Sequence, residues 1–133
     1  MPDASTNHAE IMKRYFDAWQ RGDADAAMSL WAEDIVHHVP GRHRLAGDFA
    51  GKQAFLKHYG RVFEDLGGTI EVTGVHDVLT SNKHAVALVH ERAVRGDRTL
   101  DFNRVVVYHA RDGKIVETWS YDYDTYALDE FWA

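Results

Sequence analysis

The hydropathy period of this chain changes once, and that change constrains the fold more than any other feature. Up to Leu66 the apolar residues recur at helical spacing; from Thr69 to Tyr123 they alternate, and β-branched residues dominate. The second part is predicted to hold four strands, at roughly 69–79, 84–94, 99–110 and 114–123. Ser81-Asn82-Lys83, Arg95-Gly96-Asp97 and Arg111-Asp112-Gly113 separate them. Each break is short and carries hairpin residues, so the strands form an antiparallel meander. Long strands need an apolar cover on one face, and the first part supplies it. Met12, Tyr15, Phe16 and Trp19 make one stripe of a helix capped by Thr6 or Asn7 and stopped at Gly22. Asp23 or Asp25 restarts a shorter helix that buries Ala27, Leu30 and Trp31. Ile35-Val36-His37-His38-Val39 reads as a short strand closed by Pro40-Gly41, and residues 42–50 read as a loop. A third helix opens near Gly51, carries Phe55, Tyr59, Val62, Phe63 and Leu66 on one side, and ends at Gly67-Gly68. The aromatic tail at 126–132 must pack against this body.

Composition narrows the classes. A length of 133 residues fits one domain spanning 1–133. With 45% hydrophobic and 12% aromatic residues the chain is too apolar for disorder. No run approaches the ~18 apolar residues of a spanning helix, so no membrane association is expected. The start, MPDASTNHAE, lacks the basic-then-apolar layout of a leader. The absence of Cys removes disulfides, thiol catalysis and thiolate metal sites, and a cytoplasmic protein is the expectation. Fifteen basic against 21 acidic residues give a net charge of −6, which opposes nucleic-acid binding. Nine His offer proton transfer near neutral pH.

The element order, with the segments MKRYFDAWQRGDADAAMSLWAEDIVHHVPG and RDGKIVETW, resembles the nuclear transport factor 2-like superfamily. More narrowly it resembles the SnoaL-like branch, similar in fold to ketosteroid isomerase and limonene epoxide hydrolase. The resemblance covers nearly the whole chain. It implies an α+β fold: a cone-shaped, curved antiparallel sheet wrapped around three N-terminal helices and enclosing a pocket. It further implies which strand residues face inward: Val86, Leu88, His90 and Arg92; then Phe102, Arg104, Val106 and Tyr108; then Thr118, Ser120 and Asp122. His38 reaches the cone from the short strand. Tyr15, Trp19, Trp31, Phe55 and Tyr59 line it from the helical part.

Roles follow from the same resemblance. His38 matches the carboxylate that shuttles a proton in ketosteroid isomerase, and an imidazole does the same work near its ordinary pKa. A histidine hydrogen-bonded at a strand end is the structural alternative, and His37 must point the other way. Tyr15 matches the tyrosine that stabilises the enolate oxygen; the second donor of that enzyme, an Asp, falls near Val106. The hydrolase and the cyclase place a catalytic Asp where Ser120 stands, with Asp122 two residues on. Arg92 and Arg104 each need an acidic partner, from Asp122, Asp124 or Glu117, or else a ligand carboxylate or enolate. His37, His38, His43, His76, His84 and His90 lack tight ligand spacing, so no metal is expected. Gly67-Gly68 lacks the Lys and Ser/Thr of a phosphate loop, so no cofactor is expected either. The 41–51 segment is a candidate lid.

The reading is a small-molecule-binding protein doing cofactor-free acid–base chemistry, of isomerase, cyclase or lyase type. Its substrate is an apolar cyclic or aromatic carbonyl compound. His38 is the base, and Tyr15, His90, Arg104 and Asp122 complete the catalytic set. Trp19, Trp31, Phe55, Tyr59, Leu88, Arg92, Phe102, Val106, Tyr108 and Ser120 contact the ligand. The alternative is a non-catalytic binding module of the same fold. The outer sheet face, with Val105, Val107, Trp119 and Tyr121 among Asp101, Asn103, His109 and Glu117, is too apolar for water and predicts a homodimer.

Overall fold

The computed structural model describes residues 7–133. Thr6 as a first cap, and most of the segment read above for a leader, lie outside the described residues. Asn7 takes the cap: its side-chain oxygen accepts from the Glu10 N–H at 3.1 Å and opens helix α1, His8–Gln20. Ile11, Met12, Tyr15 and Phe16 form its buried stripe. Asp23 accepts from the Ala26 N–H at 3.1 Å and opens α2, Ala24–Met28. The sequence extends this helix to Trp31; in the structure it stops sooner, because the Leu30 carbonyl accepts from the Ile115 N–H at 2.7 Å. That bond draws the chain into strand β1, Trp31–Val39, longer than expected.

Residues 42–50, expected as a loop, include the edge strand β2, Gly47–Ala50, antiparallel to β1. Phe49 is the reason: its ring packs on Phe55, His58 and Tyr59 of helix α3, Lys52–Leu66. Gly67 ends α3 at φ 63°, a left-handed turn that favours glycine. Four long strands follow: β3 Gly68–Thr80, β4 Ala85–Arg95, β5 Arg98–Arg111 and β6 Lys114–Asp122. They pair consecutively and antiparallel, as the turn residues predict. β1 joins the far side in parallel to β6, giving one curved six-stranded sheet in the order β2-β1-β6-β5-β4-β3.

Register shifts at Val72/Gly74, Val75/Asp77, His109/Ala110 and Trp31/Val36 bend the sheet into an open cone. Two apolar clusters close it. One joins α1 to the inner faces of β4 and β5; the other gathers Leu45, Val62, Phe102 and the C-terminal helix α4, Thr125–Phe131. Trp132 is fully buried there, seated on Gly68, where an added Cβ would stand 2.7 Å from its ring. Arg95 holds the chain end by donating Nη1 to the Phe131 and Ala133 carbonyls at 2.8 and 3.0 Å. Among the described residues no helix is long and apolar enough to cross a membrane.

Strand parity corrects the expected inward sets. On β4 the inner residues are Ala85, Ala87, Val89, Glu91 and Ala93, and Val86, Leu88, His90 and Arg92 lie outside. The physical reason is proximity: Ala85 and Ala87 share one core with Tyr15 and Phe16 of α1, so larger side chains have no room there. On β1 the inner residues are Ile35, His37 and Val39; His38 is outside. On β5 Phe102, Arg104, Val106 and Tyr108 point inward as expected, and so does Thr118 on β6.

Candidate functional site

A cavity of about 360 Å³ remains inside the cone, between the sheet, α1 and α3. That is within the range of small-molecule sites, roughly 300–1,000 Å³. Trp19, Trp31, Phe55, Tyr59 and Tyr108 supply most of its aromatic wall. Its polar groups fall into two stations. His37 pairs across the strands with Thr118, and Thr118 with Tyr108; Asp122 pairs with Arg104. The two rows are four residues apart along β5 and β6, roughly 13 Å of strand.

The first station is built on Trp31. Its indole N–H donates to the Tyr15 hydroxyl oxygen at 3.2 Å, and its ring centroid lies 4.6 Å from that of His37. Phe55 also packs on the imidazole at 4.1 Å, and on Trp31 at 5.5 Å. His37 Nδ1 and Thr118 Oγ1 share a hydrogen bond of 2.7 Å, while buried Nε2 has no hydrogen-bond partner among the described residues. Burial, reinforced by the nearby His38 charge, pushes the His37 pKa down to about 4, so the ring is neutral at physiological pH. Burial pushes the Tyr15 hydroxyl up to about 12, so it keeps its proton. With its oxygen already accepting from Trp31, that proton is available to an oxyanion. The arrangement pairs an unprotonated imidazole with a phenol donor.

The second station holds three charges. Arg104 Nε donates to Asp122 Oδ1 at 2.6 Å, and its Nη1 lies 3.6 Å from Glu91 Oε2. The Asp122 side chain is fully buried behind the guanidinium, and its Oδ2 has no partner among the described residues. Burial opposes the charge of Arg104, but Glu91 and Asp122 outweigh it and hold the guanidinium firmly protonated. Burial also raises the Glu91 carboxyl; Arg104 lowers it and Asp122 raises it again. Tyr59 faces this group, and its hydroxyl donates to the Leu45 carbonyl at 3.1 Å.

Against this geometry the predicted site divides. Tyr15, Trp19, Trp31, Phe55, Tyr59, Arg104, Val106, Tyr108 and Ser120 line the cavity. His38 does not: it lies outside the sheet, between Asp48 at 2.7 Å and Glu117 at 2.6 Å, stacked on Trp119. His90 is outside as well, bonded to Asn103, and Leu88 stands on the same outer face. Arg92 pairs with exposed Asp101 at 2.8 Å. Phe102 points inward but fills the second apolar cluster, and Asp122 serves Arg104 from behind. Of the polar lining residues, His37 and Glu91 were missed; Thr118, expected to face inward, is the hydrogen-bond partner of His37. Glu91 had a signal in the sequence, as the one acid at period two among Ala85, Ala87, Val89 and Ala93.

A family description of the SnoaL-like domain matches residues 12–118. The chain belongs to the SnoaL-like family. An uncharacterised protein of Mycobacterium tuberculosis is 31% identical to this SnoaL-like chain over 125 residues, covering 93% of it and 95% of the relative. Among solved structures, Bal32a, from a soil-derived mobile gene cassette, superposes with a TM-score of 0.80. It is 32% identical, over 94% of this chain and 95% of its own. A Xanthomonas campestris protein of unknown function, described as having a cystatin-like fold, reaches 0.84 at 27% identity, covering 96% of this chain and 99% of its own. The superpositions extend the likeness in fold beyond the matched segment, to at least 94% of the chain.

Proposed function

We propose that this SnoaL-like protein is a cofactor-free acid–base enzyme acting on an aromatic or cyclic carbonyl compound held in the cone. The observation that carries it is the station on Trp31, where an unprotonated imidazole and a phenol donor line one aromatic-walled cavity. In the tautomer whose Nδ1–H donates to Thr118 Oγ1, His37 has its lone pair on Nε2 and accepts a proton from the carbon beside the carbonyl. The Tyr15 O–H donates to the enolate oxygen that develops. Arg104 is committed to Asp122 and Glu91, so its role here is to fix the cavity wall.

Incubation with a panel of aromatic and cyclic ketones in heavy water, followed by mass spectrometry, tests this. The expected result is enzyme-dependent deuterium uptake beside the carbonyl, reduced roughly a hundredfold in Tyr15→Phe and abolished in His37→Gln. The low basicity of His37 favours a second reading, a binding module without turnover. Ketones that bind and never exchange would decide for the module.

We also propose a homodimer through the outer face, where parity enlarges the patch expected from the sequence. Val86, Val107 and Trp119 form one cross-strand row, and Leu88, Val105 and Tyr121 the next. A two-fold pairing would cover this patch on both copies at once. Light scattering at micromolar concentration should give twice the 15.2 kDa chain mass, and Leu88→Glu should halve it. A wild-type monomer rejects the pairing.

A further inference from the structure

Glu91 is 8% exposed and faces the cavity, yet it makes no hydrogen bond to any described residue. Its nearest cation, Arg104 Nη1 at 3.6 Å, stands beyond hydrogen-bonding distance, and the short bond of that guanidinium goes to Asp122. A buried carboxylate needs N–H or O–H donors, and this one has open sites on both oxygens. The charges around it point one way. Glu91 and Asp122 share the single guanidinium of Arg104, and His37 adds no positive charge. An anionic group entering here finds no free counter-charge. Tyr15 from α1, Tyr59 from α3 and Tyr108 from β5 all lie close enough to feel the Glu91 charge, and each is neutral, since burial raises its pKa. The buried carboxylate, with the aromatic ring of Tyr59 on the same wall, makes a seat for an ammonium group, which donates to the carboxylate and rests against the ring.

We propose that the Glu91 end of the cavity binds a protonated amine carried by an aromatic ligand. This inference rests on the cavity being a small-molecule site; it does not rest on turnover. The amine lies at the Glu91 end and the aromatic body extends toward Trp31, leaving the far part of the ligand beside His37 and Tyr15. Binding also moves a proton. Where Glu91 is protonated in the empty cavity, the arriving ammonium drives that proton to solvent, so affinity rises with pH until the amine itself deprotonates. The charged and titratable groups facing Glu91 are Arg104, Asp122, Tyr15, Tyr59 and Tyr108; no histidine is among them.

The test compares naphthylethylamine, naphthylethanol and naphthylacetate, matched in shape and cationic, neutral and anionic in turn. Calorimetry gives the affinities, with the fluorescence of wall residues Trp19 and Trp31 as a second reading. The amine should bind about tenfold or more tighter than the alcohol, and the acetate weakest. In Glu91→Gln the advantage of the amine should vanish while the affinity of the alcohol is kept. In the wild type, titrations in buffers of different ionisation enthalpy should show proton release on amine binding that grows as pH is lowered, a result that needs no variant. Equal binding of amine and alcohol, preference for the acetate, or an amine preference that survives Glu91→Gln overturns the proposal alone. Failure of all three probes overturns it together with the assignment of the cavity as a ligand site.

Discussion

His37 enters the cone between Trp31 and Phe55, with Nδ1 against Thr118; His38, one residue on, lies outside it between Asp48 and Glu117. The same side chain takes opposite electrostatic characters in the two places. Burial pushes the His37 pKa down to about 4. The Glu117 hydrogen bond, aided by Asp48, raises that of His38 above its ordinary value against a small burial effect. The two ion-pair systems differ in parallel. Arg104 with Asp122 and Glu91 is nearly sealed from water, whereas Arg92 with Asp101 is open to it. The side of the sheet that a residue occupies therefore sets its protonation and its energetic weight, and one step along a strand changes both.

The largest consequence is expected at the arginines. Arg104→Met leaves Asp122 and Glu91 buried without their cation and should cost about 3–5 kcal/mol in urea unfolding. Arg92→Met, on the exposed side, should leave the midpoint where it is. Equal losses in the two variants would break the comparison.

The histidines give the next effect, with opposite signs. The folded pKa of His37 lies below the unfolded value of about 6.5. As pH falls from 6.5 toward 4, only the unfolded chain takes up this proton, so the fold loses stability by roughly 1.4 kcal/mol per pH unit from this residue. His37→Gln should flatten that part of the stability–pH curve. His38 acts in the other direction: its raised pKa stabilises the fold below pH 6.5, and this is lost as pH rises through the folded value. His38→Gln should therefore remove a smaller stabilisation on the acid side, screened by solvent, while leaving ligand affinity in the cavity unchanged. A His38 variant that loses binding would return the site to the outer face.

How far the sequence discloses this can be traced residue by residue. The stripe of Met12, Tyr15, Phe16 and Trp19, the caps at Asn7 and Asp23, and the three hairpin breaks were legible because each is a local signal. Parity was not. Along β4 both alternating sets are apolar over Ala85–Val89, and the choice is made by the close approach of α1, a tertiary fact. Along β1 the pair His37-His38 offers either residue to the cavity, and the pairing of β1 with β6 shifts register between Trp31 and Val36, which no local pattern reports. The resemblance, carried outward from the Gly-Lys-Ile turn, put His90 and Arg92 in the inner set; the short side chains won because the helix left them the only space. Arg104 was placed correctly, and its partner Asp122 was among the acids expected for it, but Glu91 was hidden by the reversed parity of its strand.

The central claim is that His37 is a neutral, cavity-facing imidazole. An NMR titration of protein carrying isotope-labelled histidine measures this directly, with the His37 and His38 signals assigned from the His37→Gln and His38→Gln variants. The account predicts that the His37 ring stays unprotonated down to about pH 5 and titrates near 4, while His38 titrates above 6.5. A His37 signal that titrates at 6.5 or above would contradict it.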